Sequence, residues 1–391
     1  MNILICSFSF PPQSGGVSHV VYAQARGLVE RGHKVIVATE YDPARDNLHV
    51  PEGLKVVPFR VSGNAHPRSR YRGDIGAYLD FVGSFQGDVI CCHCWQIWAT
   101  DLAVRAFPRT RARKVLVSHG VSANSRLGWP RTFVSWVLWR PYVWREMPRI
   151  LKAFDHLVLL SGRYDRDRFY DHGMARRSGY RDISVIPNGV DLKAHQEAPS
   201  DFRDRFGIDT PRMVLLVGAY YDLKNHRMAL EAFLSARPEH TTLVFIGQER
   251  NTYSAGLETR WRGAQKALPS CRMICLDRLP REDILAAYKT ADLYLCASRT
   301  EYFPLTLLDA MASETPFIST DVGCVGDLPG GRVVRTQDEM ARAIQDLLED
   351  EPGRKDLGMV GRTACESIYN WSSVIDTYEA LFERLLKNGD G

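Results

Sequence analysis

Short apolar runs with strand character alternate with helical patterns along nearly the whole chain, and this rhythm constrains the fold more than any other feature. Strands joined through helices lie parallel, so the alternation predicts parallel sheets built from βαβ units. In the first half the expected strands are Ile3 to Phe8, Lys34 to Thr39, Leu54 to Phe59, Asp88 to Cys92, Lys114 to Ser118, His156 to Ser161 and Ile183 to Ile186. In the second half they are Met213 to Val217, Leu243 to Ile246, Met273 to Leu276, Leu293 to Cys296 and Pro316 to Thr320, with helices near 226–236, 281–290 and 304–313. A chain of 391 residues is too long for one ordinary core and suits two α/β domains of ~150 to 200 residues each. The expected fold class is therefore α/β, with two Rossmann-like domains facing each other across a cleft.

The turn Pro187-Asn188-Gly189 and the polar stretch after it punctuate this rhythm. They set the expected domains at 1–190 and 191–370. Residues 371–391 read as a C-terminal amphipathic helix, apolar at Val374, Tyr378, Leu381 and Leu385, that crosses back to the first domain.

Composition narrows the classes. With 45% hydrophobic and 25% charged residues the chain is an ordinary globular one, which sets aside disorder, collagen and coiled coil. No run of eighteen apolar residues occurs and the first residues lack signal-peptide features, so the expected location is cytoplasmic. The nine cysteines are an odd count, several inside expected strands, and are read as reduced thiols. Residues 1–191 carry 26 Lys+Arg against 16 Asp+Glu, the remainder 24 against 30. A basic first half points to an anionic partner, such as a phosphorylated acceptor or an acidic membrane surface; no nucleic-acid-binding module is visible.

Three segments carry chemistry. Gly15-Gly16 follow the first strand and open a helix, where bare backbone N–H groups at the positive end of the helix dipole can meet a phosphate. A tight turn would need the same glycines. Gly218 to His226 forms a loop after a strand and contains Lys224, a cation able to neutralise a departing diphosphate. Glu301 falls just past the end of a strand, and Asp309 lies eight residues on, a helical advance of ~12 Å at most. Two carboxylates so spaced can accept hydroxyl hydrogen bonds from both ends of one ligand; as isolated residues they would read as a helix-capping carboxylate and a solvated one.

Together these pieces resemble the large family of retaining glycosyltransferases with the two-domain architecture called GT-B, the group 1 type marked by a Glu, seven residues, Glu pattern. The resemblance covers nearly the whole chain. It rests on Gly15-Gly16, Ser118-His119, Ile186 to Asp191, Gly218 to Asn225, Gly247, and Glu301 to Ala312 followed by Pro316. It implies that 1–190 binds the acceptor, that 191–370 binds a nucleotide-diphosphate sugar, and that the protein transfers a sugar with retention, without metal or other cofactor. The implied catalytic residues are His119, Lys224 and Glu301. The implied donor contacts are Gly16, Gly218, Lys224, Gly247, Glu301, Phe303, Leu305, Thr306 and Asp309: Lys224 on the diphosphate, Glu301 on the sugar hydroxyls, Asp309 on the ribose, and backbone N–H groups near Leu305 and Thr306 on the phosphates. Uridine stands ahead of guanosine as the donor base. The acceptor is a glycan, a lipid-linked molecule or a small molecule, in cell-surface polysaccharide or glycoconjugate biosynthesis.

Three positions depart from the family pattern. Ala219 stands where arginine is frequent, Asp309 where glutamate is, and Pro304 where glycine is. They remove one diphosphate cation, shorten one carboxylate by a methylene and delete one N–H from the phosphate cradle.

Acceptor contacts are expected from Gly15, from His93 at a strand end, from Arg68 and Arg70 in the basic loop Arg60 to Arg72, and from Trp129 and Arg140 in the aromatic and basic stretch Trp129 to Lys152. That stretch suits an anionic membrane surface, giving a peripheral position at the inner face of the cell membrane, or a core helix pair broken at Pro141. Cys91-Cys92-His93-Cys94 has no second ligand pair at zinc-site spacing, and Asp165-Arg166-Asp167 reads as a solvated charged face. A nucleotide-sugar epimerase of the same fold and a degenerate, non-catalytic sugar-nucleotide binder are the alternative functions.

Overall fold

The computed structural model describes the chain apart from Ser14 and residues 67–68, 122–132, 164–169 and 389–391. Contacts divide it into two compact units, Met1–Asn188 with Trp371–Gly391, and Gly189–Asn370.

In the first unit the strands β1 (Asn2–Cys6), β2 (Lys34–Glu40), β3 (Leu54–Phe59), β6 (Val89–His93), β7 (Arg113–Ser118), β8 (His156–Leu159) and β9 (Ile183–Val185) form a sheet in the order β3-β2-β1-β6-β7-β8-β9. The short strands β4 (Val61–Ser62) and β5 (Arg72–Gly73) make a separate antiparallel ribbon. Every pairing in the large sheet is parallel, which follows from the helical crossovers. Ile3, Leu4, Ile5 and Cys6 are all inaccessible, because helices cover both faces of a parallel sheet. The amphipathic helix Trp371–Lys387 lies on the helix Gly16–Glu30. Their approach is close: a Cβ at Gly27 would stand 2.7 Å from Ile375 Cγ1. At its edge His33 Nε2 lies 2.8 Å from Glu379 Oε1.

The second unit repeats the plan with β10 (Arg212–Val217), β11 (Thr241–Gly247), β12 (Arg272–Asp277), β13 (Leu293–Cys296), β14 (Phe317–Thr320) and β15 (Gly331–Val334) in the order β12-β11-β10-β13-β14-β15, all parallel. A bridge between Val190 and Asn370 ties the points where the chain enters and leaves this unit.

Strand order decides where ligands can sit. In each sheet it reverses once, between β1 and β6 and between β10 and β13. At such a reversal the following helices diverge to opposite faces and open a crevice beyond the carboxyl ends of the strands.

One expected break is absent. A helix pair broken at Pro141 was one of the two readings of the aromatic stretch, yet helix Phe133–Pro141 runs through a π-helical turn, Tyr142–Glu146, into Met147–Leu151. The wider turn absorbs the proline that an α-helix could not accept without a kink.

Candidate active site

In the second unit the loop after β10 carries Lys224 and the loop after β13 carries Glu301, so the two residues flank the reversal of strand order. Lys224 Nζ donates to Glu301 Oε1 at 2.5 Å, and Ser298 Oγ donates to the same oxygen at 2.8 Å. Glu301 Oε2 accepts no hydrogen bond among the described residues. Burial pulls the Lys224 pKa down, but the Glu301 carboxylate outweighs it and the ammonium is held above its ordinary value. Asn225, at φ 53°, turns the chain from this loop into the helix His226–Ala236. Arg299 fixes the loop from the other side, donating its backbone N–H to the Leu223 carbonyl at 2.8 Å and lying 3.2 Å from Asp222 Oδ2.

The two glycines of this site differ in their surroundings. A Cβ at Gly218 would stand 3.4 Å from Lys224 Cγ, an ordinary van der Waals contact, so crowding does not demand a glycine there. At Gly247 a Cβ would fall 2.3 Å from the Tyr220 ring, whose hydroxyl is pinned by the carbonyls of Phe245 at 2.9 Å and Leu276 at 2.8 Å. Gly247 was expected to face the donor; the ring packed over it supplies the physical reason for a glycine there. The helix Leu305–Ala312 begins after Pro304 without a side-chain cap, leaving the N–H groups at Leu305 and Thr306 at its open end. Phe303 is buried beside Tyr369.

Asp309 does not have the surroundings expected of a ribose ligand. Its side chain is 7% exposed, Arg281 donates to both carboxylate oxygens at 2.9 and 2.5 Å, and His195 Nε2 lies 3.0 Å from Oδ1. The other ring nitrogen of His195 is 2.7 Å from Ser313 Oγ. Burial would raise the Asp309 pKa, but Arg281 and His195 overcome it and hold the carboxyl far below the usual range. A shortened carboxylate on the inner face of a helix meets the Arg281 guanidinium and the His195 ring before it can reach solvent. Neither Arg281 nor His195 stood out in the sequence, because their partner is 28 residues from one and 114 from the other.

The first unit assembles a different cluster. His93 ends β6, His119 follows β7, and Gln24 projects from the helix after β1. His93 Nε2 lies 2.7 Å from Gln24 Oε1, and His93 Nδ1 lies 3.0 Å from His119 Nε2. Burial holds the His93 pKa well below its ordinary value and brings His119 down to about 4. His93 was expected to touch the acceptor, but it is fully inaccessible with both ring nitrogens engaged, and so reaches a substrate only through His119. The loop leading to Gly15 and Gly16 is held by Arg45, which donates to Pro11 O at 2.9 Å and to Phe10 O at 3.1 Å. Nothing in the sequence singled out Arg45. A Cβ at Gly15 would meet nothing within 4 Å, so space, not crowding, surrounds that glycine.

Of the other expected acceptor contacts, Arg68 and Trp129 lie outside the described residues, as does Asp165-Arg166-Asp167. Arg70 is exposed. Arg140 lies over the Trp136 ring, 4.0 Å from its centroid, and 5.7 Å from that of Trp144. The helical segment is core on one side, with Tyr142, Val143, Met147 and Leu151 buried, and apolar but exposed on the other, where Trp144 is 64% accessible beside Phe133, Val134 and Val137. The nine cysteines are all buried and free. No helix among the described residues is long and apolar enough to cross a membrane.

Two doubly wound units, each with polar groups gathered beyond the strand ends at its reversal point, are the architecture in which open α/β sheets bind ligands. The chain belongs to the group 1 glycosyltransferases: the model "Glycosyl transferases group 1" matches residues 200–363, and "Glycosyltransferase Family 4" matches residues 14–194. Its activity is glycosyl transfer. Among curated proteins, the glycogen synthase of Mycobacterium tuberculosis is 24% identical over 409 residues, covering 96% of this chain and 92% of that one. Among solved structures, sucrose-phosphate synthase from Thermosynechococcus elongatus superposes with a TM-score of 0.76 at 18% identity, covering 99% of this chain and all of that one. Anabaena HepE in complex with UDP gives 0.70 at 16% identity, covering 98% and 100%. These structures share the GT-B fold with this chain.

Proposed function

We propose that this chain moves a sugar from a UDP-sugar to a glycan, lipid-linked or small-molecule acceptor, with retention and without a metal ion, in the assembly of cell-surface polysaccharide or glycoconjugate. The observation that carries the reading is the Lys224–Glu301–Ser298 cluster between the ends of β10 and β13. When the bond from the anomeric carbon to the diphosphate breaks, Lys224 and the open end of helix Leu305–Ala312 meet the charge left on the diphosphate. The acceptor oxygen bonds to the same face of the anomeric carbon, and its proton passes to the departing phosphate oxygen. Glu301, with one oxygen steadied by Ser298, orients the sugar hydroxyls through the other. His119 contacts the sugar, and Gly15 and Gly16 leave room for a phosphate. Asp309 fixes Arg281 in place of binding the ribose. The UDP held by HepE supports uridine as the base.

Incubation with UDP- and GDP-sugars, following nucleoside diphosphate release and the linkage formed in the presence of excess chelator, tests this reading. UDP release with an α-linked product from an α-linked donor is expected. Isomerised sugar would make the protein an epimerase, binding without turnover a degenerate transferase, and loss of activity restored by magnesium or manganese would end the metal-free mechanism.

The exposed face around Trp144, with Arg140, Arg145 and Arg149 beside it, favours contact with an anionic lipid surface that carries the acceptor. Replacing the three arginines by glutamate should weaken binding to acidic vesicles and leave donor KM unchanged; unaltered vesicle binding would remove the membrane from the proposal.

A further inference from the structure

The contact between His93 and His119 allows one hydrogen. Two ring nitrogens 3.0 Å apart attract only when one carries a proton and the other a lone pair. A hydrogen on both facing nitrogens would set N–H against N–H, so one of the two carries it and the other offers a lone pair, and burial favours the neutral form of both rings. Which ring donates is decided one step further back. Gln24 presents its carbonyl oxygen to His93 Nε2 at 2.7 Å, and a carbonyl oxygen only accepts. His93 must therefore carry its hydrogen on Nε2 and offer the lone pair of Nδ1. His119 answers with a hydrogen on Nε2, which leaves Nδ1 as a lone-pair nitrogen with no hydrogen-bond partner among the described residues.

The surroundings restrain this arrangement. Gln24 and His93 are both fully inaccessible, so water cannot exchange the roles. The His93 backbone is tied down through its carbonyl, which accepts from Thr100 Oγ1 at 3.2 Å. The Cys91 thiol, 3.8 Å from His93 Nε2, is a weak second partner for the same hydrogen. The amide nitrogen of Gln24 is buried with the Cys91 thiol, a weak acceptor, as its partner, an arrangement that lowers stability and that an apolar residue would avoid. What the glutamine supplies in return is the acceptor on His93. The three residues come from the helix after β1, the end of β6 and the residue after β7, so the lock is built at the reversal point of the first sheet.

We propose that Gln24 and His93 are positioning residues that fix His119 in the tautomer protonated at Nε2, so that its Nδ1 meets the donor sugar as a hydrogen-bond acceptor for a hydroxyl. This rests on the reading that His119 touches the sugar. It adds a specificity rule: the sugar position facing His119 must bring a hydrogen of its own. A fluorine there, which can only accept, would meet a lone pair, whereas the opposite tautomer would tolerate it.

The test combines ¹⁵N spectra of histidine-labelled protein with kinetics of wild type, Gln24→Met, Gln24→Glu and His119→Ala. His119 is expected to be protonated at Nε2 in the wild type. Gln24→Met, similar in size but without the acceptor, should give a mixture of tautomers and lower kcat on the order of tenfold, the worth of one hydrogen bond, with UDP affinity unchanged. Gln24→Glu keeps an oxygen acceptor and should restore both the tautomer and kcat. Among donors with each hydroxyl in turn replaced by fluorine, one should be rejected by the wild type and partly accepted by Gln24→Met. A wild-type His119 protonated at Nδ1, or a tautomer unmoved in folded Gln24→Met, overturns the lock. If instead His119→Ala keeps full kcat, the sugar contact falls and the proposed presentation to substrate falls with it, while the spectra still report on the lock separately.

Discussion

The two units solve the same architectural problem with opposite chemistry. At the reversal point of the first sheet the polar groups are uncharged: Gln24, His93 and His119, with both imidazoles neutral at ordinary pH. At the second the groups are ionic, with Lys224 on Glu301 and Arg281 on Asp309. A neutral cluster discriminates hydroxyl groups by the direction of hydrogen bonds, and a charged one stabilises charge that develops on a leaving group. The folds are alike, so the difference lies in which side chains the loops beyond the strands supply.

The largest effect should come from the charged side. Lys224→Ala removes the cation flanking the reversal point, and with alanine at position 219 no arginine stands in that loop to replace it. Loss of kcat on the order of 10²- to 10³-fold is expected for one preorganised electrostatic group, with a smaller change in donor KM. A folded variant with near-normal kcat would show that the charge of the second unit is structural only.

Asp309→Ala separates structure from binding within that unit. Removing the buried carboxylate strands Arg281 and His195, and the variant should lose roughly 3 kcal/mol of stability, read from denaturant unfolding. Asp309→Asn should lose less, since it keeps a hydrogen-bonding side chain. Normal stability together with a raised donor KM would return Asp309 to the ribose.

Two glycines sharpen the contrast. Gly247→Ala drives a methyl into a pinned tyrosine ring and should cost about 1–3 kcal/mol, whereas Gly15→Ala meets open space and should change stability by no more than about 0.5 kcal/mol. If Gly15→Ala nonetheless weakens substrate binding, the space at that glycine belongs to the ligand. Equal losses of stability at both positions would remove the distinction.

Acid should act through the neutral groups. His119, His156 and His226 are brought down to about 4 by burial, against about 6.5 in an unfolded chain. Below about pH 6.5 the unfolded state binds more protons, so stability is fully present above that pH and is lost as pH falls towards 4. The unfolding midpoint should fall modestly between pH 7 and 5. A midpoint that does not move would mean that these rings are not held neutral.

Much of this molecule could be read along the chain. Twelve of the thirteen strands in the two parallel sheets appear within a few residues of where the apolar runs place them, because a strand buried on both faces needs a local run of apolar residues and nothing distant; the edge strand β15, Gly331–Val334, was not among those expected. Lys224 and Glu301 drew attention because each lies beyond a strand end, where an open sheet can bind ligand, and their roles came only with the family resemblance. Both are described by distance along the sequence.

What the sequence could not decide is which polar residues meet. The family resemblance gave Asp309 the ribose, and the residue alone read as a solvated carboxylate; the fold brings Arg281 and His195 to it. His93 looked like a contact to substrate, and became a residue acting through another once Gln24 was placed behind it. Arg45 and the π-helical turn after Pro141 were likewise unreadable, since each depends on what the loop or helix packs against. Local apolar pattern determined the two sheets and which ends of their strands open towards ligand, because burial of a strand or helix face acts through neighbours a few residues away. The partners of each charge and each ring nitrogen were decided only by the tertiary structure, because electrostatics and hydrogen bonding depend on distance through space and are indifferent to separation along the chain.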